Sequence, residues 1–168
     1  MKHLLLSFIL FFFFSCSKND ETITNTGIIP TESSPNILFI IADDLGKDAI
    51  NGFSEGTIKP ITPNIDAIRN NGLSFSNFWV NPTCTPTRAS IITGKYGYRT
   101  GVKWAGDVLS SSETILQQYI SNQTNNAYAT AIVGKWHLSG NNTTFNPETF
   151  GIDYYSGLLR GEVQSYYN

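Results

Sequence analysis

Three short stretches of the chain hold side chains whose types and spacing suit chemistry on an anionic group. The first is Asn81-Pro-Thr-Cys84-Thr-Pro86-Thr-Arg88, continued by Ala-Ser-Ile-Ile-Thr93-Gly94, which sets a thiol, a proline and a permanent cation at an expected helix entrance. Pro86 suits a first helical position, where its missing N–H costs nothing, and Gly94 can end the helix. Cys84 would then lie just ahead of a helix N-terminus, where free N–H groups and the macrodipole favour an anion. Arg88, about one turn further on, adds a fork suited to tetrahedral oxyanions. By residue type alone, Cys84 is either this or a small buried hydrophobe.

The second stretch, Asp43-Asp44-Leu45-Gly46, ends the apolar run 37–42. Paired carboxylates there are either a polar turn or a metal site. Neighbouring side chains of an extended strand point to opposite faces, so both reach one ion only if the chain bends after Asp43, which Gly46 would help it do. Oxygen-only donors suit a hard cation, Ca²⁺ or secondarily Mg²⁺, better than zinc. The third stretch is Gly134-Lys135-Trp136-His137-Leu138. If it stays extended, Lys135 and His137 point the same way and can address a ligand at the carboxyl edge of a sheet. The alternative is a solvated lysine and an ordinary loop histidine.

The elements that must carry these groups follow from periodicity. Residues 37–42 are a near-continuous apolar run, as in a strand buried on both faces of a parallel sheet. Residues 62–72 predict a short helix, with Thr62 as cap, Pro63 at its first position and Gly72 closing it. A second strand is expected over 73–80, delivering the chain to Cys84, and a third over 128–133. Between them Ser110-Ser-Ser-Glu113 resembles a capping box for a helix burying Ile115, Leu116, Tyr119 and Ile120. Strands alternating with helices predict an α/β fold, a partial doubly wound and mostly parallel sheet.

The whole chain sets limits on function. Its 168 residues, 40% hydrophobic and 13% aromatic, suit one domain with an ample core. A net charge of -2 offers no basic field, so no nucleic-acid partner is expected. Residues 1–16, with Lys2 and His3 ahead of an apolar run too short to span a bilayer, read as an export signal. Its end resembles a bacterial lipoprotein signal, with Cys16 lipidated after cleavage as a membrane anchor at the cell envelope, periplasmic or outer-membrane. Residues 17–35 read as a polar tether and 36–168 as the globular part. Cys84 would then be the only thiol of the mature chain and His137 its only histidine, and an orphan thiol in an oxidising compartment is a liability unless used or modified.

The segment C-T-P-T-R-A-S-I-I-T-G at 84–94 resembles the active-site signature of the sulfatase family, C-[ST]-P-x-R followed at fixed spacing by T-G. P-N-I-L-F-I-I-A-D-D-L-G at 35–46 is similar to the opening of sulfatases. A-Y-A-T-A-I-V-G-K-W-H-L at 127–138 is similar to their second signature, with Ala127 where that pattern has glycine. By resemblance and not by periodicity, the aromatic stretches at 150–157 and 166–168 are similar to a family loop region that could line a substrate cleft. The resemblance runs from Pro35 onward and implies the N-terminal portion of a formylglycine-dependent sulfatase of the alkaline phosphatase superfamily. It implies that a formylglycine-generating maturation enzyme oxidises Cys84, whose hydrated aldehyde is the nucleophile. By the same resemblance Asp43, Asp44 and the oxygen at position 84 bind the metal. Lys135 and His137 contact the sulfate and the formylglycine, and Arg88 supports the hydrate and the metal-side oxygens.

The implied reaction is hydrolysis of the sulfate ester of a small molecule or polysaccharide. Relatives carry further metal and sulfate ligands downstream that have no counterpart before Asn168, so this fragment alone is expected to be inactive. Two rivals remain. One is a phosphonate or phosphate-ester hydrolase of the same superfamily; the other is a non-catalytic lipoprotein binding sulfated glycans through Arg88 and Lys135. The absence of a C-x-x-C motif disfavours a thiol redox protein.

Overall fold

The computed structural model describes residues 35–140 and 147–161. The expected signal, Cys16, most of the tether and the aromatic terminus lie outside them. No helix among the described residues is long and apolar enough to cross a membrane.

In chain order the elements are helices α1 (Pro63–Asn70) and α2 (Cys84–Thr93), helix α3 (Leu116–Gln123), strand β1 (Ala131–Lys135) and strand β2 (Tyr154–Leu158). Single 3-10 turns stand at Lys47–Ala49, Gly97–Arg99 and Pro147–Phe150. The two strands pair in parallel, from Ala131 opposite Tyr154 to Lys135 opposite Leu158. This is an α/β arrangement with the parallel pairing expected of a partial doubly wound sheet. The register sets Gly134 against Gly157, where a Cβ on Gly157 would come within 1.9 Å of the Gly134 carbonyl oxygen. Only glycine allows that approach.

α1 forms where expected, with Pro63 at its first position. Thr62 supplies no cap to a backbone N–H; its hydroxyl bonds Asp66 Oδ1 at 3.3 Å. α2 begins at Cys84, two residues ahead of the start that Pro86 signals. Pro86 fits inside the first turn because the N–H it lacks has no intrahelical acceptor there. Gly94 ends the helix in the left-handed conformation at φ 66°, as the sequence requires.

The 110–113 stretch does not open a helix. Glu113 N–H donates to Ser110 O at 3.0 Å in a turn, and the Ser110 hydroxyl accepts the Ser112 N–H. α3 starts at Leu116 after a fully buried Ile115, while Tyr119 stays 56% exposed. The side-chain competition that makes serine a cap also makes it a turn residue, and the turn wins here.

Runs 37–42 and 73–80 are extended but not strands. Leu38 is 84% and Trp79 90% exposed. An apolar, β-branched run defines a surface suited to burial, whereas a strand also requires a neighbour's N–H and C=O groups. No described segment supplies that ladder. The expected third strand appears three residues later than predicted, as β1. β2, read as loop, forms because β1 offers its edge to Tyr154-Tyr-Ser-Gly-Leu158.

The core gathers Ala89 of α2, Val102, Leu109, Ile115, Trp136, Leu138, Phe150 and Ile152. The Trp136 and Phe150 rings lie 5.6 Å apart and tilted. Asp153 pins the entry to both strands: Oδ2 accepts the Thr130 N–H at 2.7 Å and the Thr130 hydroxyl at 2.9 Å. The Thr130 N–H, then its hydroxyl, hold the Asp153 carboxyl below its ordinary value of 3.8. A lowered folded-state value means stabilisation present above 3.8 and lost as pH falls through the lower one. The protection of the Thr130 amide, its exchange rate relative to the unstructured chain at the same pH, should therefore fall on acidification, and Asp153→Asn should remove that pH-dependent loss of protection.

Candidate active site

Cys84 occupies the first position of α2, and the helix entrance is fixed without a capping side chain. Asn81 and Thr87 do that work instead. The Thr87 hydroxyl accepts the Asn81 N–H at 3.1 Å and lies 2.8 Å from Thr83 O, while Asn81 Nδ2 donates to Pro86 O at 3.2 Å and to Ser90 Oγ at 3.0 Å. Loop and helix are thus stitched together around the thiol, and Asn81 carries no motif that announces this role.

Just past β1, the backbone at His137 turns into the left-handed region at φ 55°, and the buried imidazole brings Nδ1 to 3.2 Å from Cys84 Sγ. The extended geometry expected for Lys135 and His137 is therefore not the one that forms. They converge because the chain bends at His137, not because two side chains share a strand face.

Lys135 Nζ lies 2.6 Å from Asp43 Oδ2. Arg88 joins the same group: Nη1 donates to Lys135 O at 2.5 Å, and Nη2 lies 3.5 Å from Asp43 Oδ1. Its Nε is buried without a hydrogen-bond partner among the described residues. A buried guanidinium N–H in want of an acceptor is what an oxyanion ligand would satisfy. The Lys135 ammonium first, then Arg88, hold the Asp43 carboxyl below the usual carboxylate range, against the opposing effect of burial. Asp43, Cys84, Arg88, Lys135 and His137 thus form one cluster from α2, the end of β1 and the 43–44 turn.

Asp44 follows at φ 56°, so the chain does bend after Asp43, as a shared ion would require. Among the described residues, however, no three His, Cys, Asp or Glu side chains gather into a group able to hold a metal. Two carboxylates fall short of the six or more oxygens that Ca²⁺ takes. Asp43 is instead neutralised by its two cations.

Gly161 was not singled out by sequence, since a lone glycine after an irregular stretch carries no signal. A Cβ there would stand 2.4 Å from His137 Cε1 and 2.6 Å from Nε2. Gly161→Ala should push the imidazole off Cys84, and a reaction that needs the two side chains together should slow by about 10²-fold, the scale of a misplacement of about 1 Å. An unchanged thermal midpoint in the same variant would separate this from unfolding.

Comparison with known proteins completes the description. A family model described as Sulfatase matches residues 35–168. The chain is 37% identical over 130 residues to arylsulfatase G of Mus musculus, covering 74% of this chain and 24% of that protein. It is 32% identical over 143 residues to steryl-sulfatase of Homo sapiens, covering 75% and 24%. The crystal structure of Ps i-CgsB superposes with a TM-score of 0.60 at 33% identity, over 73% of this chain and 27% of the other. The chain spans about a quarter of the length of the relatives it matches.

Proposed function

This chain belongs to the sulfatase family, and from that premise we propose that the full-length protein hydrolyses sulfate esters at Cys84. The observation that carries the reading is the 3.2 Å approach of His137 Nδ1 to Cys84 Sγ beside the paired cations Arg88 and Lys135. Sulfatases generally work through a formylglycine-modified cysteine and a divalent metal. When Cys84 is so modified, a hydroxyl of the hydrated aldehyde, in place of the sulfur atom seen against His137, attacks the ester's sulfur as the S–O bond to the alcohol breaks and the alcohol leaves with a proton.

The chain's own residues then have separable tasks. His137 holds the attacking hydroxyl through Nδ1 and takes or returns its proton. Arg88 aims its unpartnered Nε at an oxygen of the sulfuryl group, and Lys135 offsets the charge that develops on its neighbours. Asp43 keeps both cations in place. Asp43 and Asp44 are oxygen donors of the kind Ca²⁺ prefers and would be two of its ligands. The described residues do not supply the rest; a cation held there would lower the pKa of the attacking hydroxyl.

The substrate is a sulfated small molecule or polysaccharide. Assaying sulfate and phosphate esters of one phenol with the full-length protein tests the reading, alongside mass spectrometry of the Cys84 peptide. We expect sulfate ester to be preferred, and one oxygen at position 84 in place of a sulfur and two hydrogens. Preference for phosphate would favour the phosphoester hydrolase, and an intact thiol with no turnover would favour a sulfate-binding protein.

A further inference from the structure

The residue after the nucleophile, Thr85, is fully buried, and its hydroxyl accepts the Gly106 N–H at 3.2 Å. That bond clamps loop 103–109 against the entrance of α2. On its other side the loop is held to the segment following His137, where Leu109 N–H donates to Leu138 O at 3.0 Å and Val108 bridges Ser139. Within the loop Asp107 Oδ2 accepts the N–H groups of both Lys103 and Trp104, at 2.7 and 2.8 Å, and Asp107 N–H returns to Trp104 O at 3.2 Å. The loop therefore borders both halves of the site and is fixed at each point.

Trp104 stands on this turn, 72% exposed. Two peptide units separate it from Gly106, so its Cα lies no more than about 7.6 Å from the residue bonded to Thr85. Exposed apolar side chains such as Leu38 and Trp79 sit on extended runs without ladder partners. Trp104 differs, because a tightly bonded turn, itself bonded to the residue after Cys84, holds a large rigid ring out in water. Such a ring presents apolar area at little entropic cost, the property that suits it to stack on another ring.

Resting on the sulfatase reading above, we propose that Trp104 is a specificity-determining residue, a wall against which the ring of the substrate's alcohol stacks while its sulfate sits between Arg88 and Lys135. The ligand chemistry is a sulfated six-membered ring, sugar or aryl, presenting a flat face. The contact is made to the face of the ring and not to the sulfuryl oxygens, so it acts on binding more than on the chemical step.

The test uses the full-length protein with 4-nitrophenyl sulfate, a sulfated monosaccharide, and inorganic sulfate as competitive inhibitor. Trp104→Ala should raise KM for both ring substrates about tenfold, with kcat changed less than about twofold. Trp104→Phe should recover most of the loss, and the inhibition constant of inorganic sulfate, which has no ring, should stay put. An indifferent alanine variant, a failure of phenylalanine to rescue, or an equal weakening of inorganic sulfate would each overturn the assignment. The last outcome would mean that Trp104 only braces the loop. A wild-type protein inert toward every sulfate ester would sink the sulfatase reading and this inference with it, whereas an active wild type with an indifferent Trp104→Ala sinks this inference alone.

Discussion

Replacing Cys84 with alanine in the full-length protein is expected to abolish sulfate-ester turnover, a loss on the order of 10⁴-fold or more. The side chain at position 84 is where His137 Nδ1 converges, at 3.2 Å, one helical turn from Arg88. Serine should rescue little. It restores an oxygen but not the second hydroxyl of an aldehyde hydrate, which is what frees the enzyme after transfer. Steady-state kcat for both variants, with intact mass confirming what occupies the position, gives the answer. Near-normal turnover by the alanine variant would end the nucleophile assignment.

The second large effect is expected at Arg88, where alanine should lower kcat by about 10²- to 10³-fold, the usual scale for removing a donor aimed at developing charge. Its side chain is only 11% exposed, and its two terminal nitrogens reach the Lys135 carbonyl and Asp43. Lysine should restore only part of the rate. An ammonium is a point charge that cannot hold both partners and still leave a nitrogen for the ligand. Because Arg88 also ties α2 to β1, the thermal midpoint has to be followed in parallel. Full activity in Arg88→Lys would show that the fork's geometry is dispensable.

Much of the cluster was legible in the sequence because its members sit in contiguous signatures. Cys84 and Arg88 share one helical turn, whose spacing fixes most of their geometry, and Lys135 and His137 are two residues apart where β1 ends. What stayed hidden is non-local. Nothing near Gly161 announces that its Cα lies against His137, and nothing near Asn81 announces a bond to Ser90. The left-handed turn at His137 was equally invisible: histidine is enriched in that region, yet so few non-glycine residues enter it that the residue type alone does not mark the position.

The fold was less legible than the site. Hydrophobic runs marked 37–42 and 73–80 as strands, yet a run does not name its ladder partner, and these segments have none among the described residues. The weakly patterned Tyr154–Leu158 became a strand because Ala131–Lys135 lay alongside it. Patterning marked apolar surface in the 37–42 and 73–80 runs, but neither burial nor pairing followed from it among the described residues, where Leu38 and Trp79 stay exposed.

Lys135 and His137 are separated by Trp136, whose ring is 2% exposed and lies against Phe150. Two hydrophilic residues are therefore mounted on either shoulder of an anchor sunk in oil, with no slack chain between reactive groups and packed interior. Any reshaping of the space beneath that indole shifts base and ammonium together. The interior acts as the jig on which the cluster is set, and tolerance to aromatic substitution at positions 136 and 150 is bounded by chemistry as well as by folding.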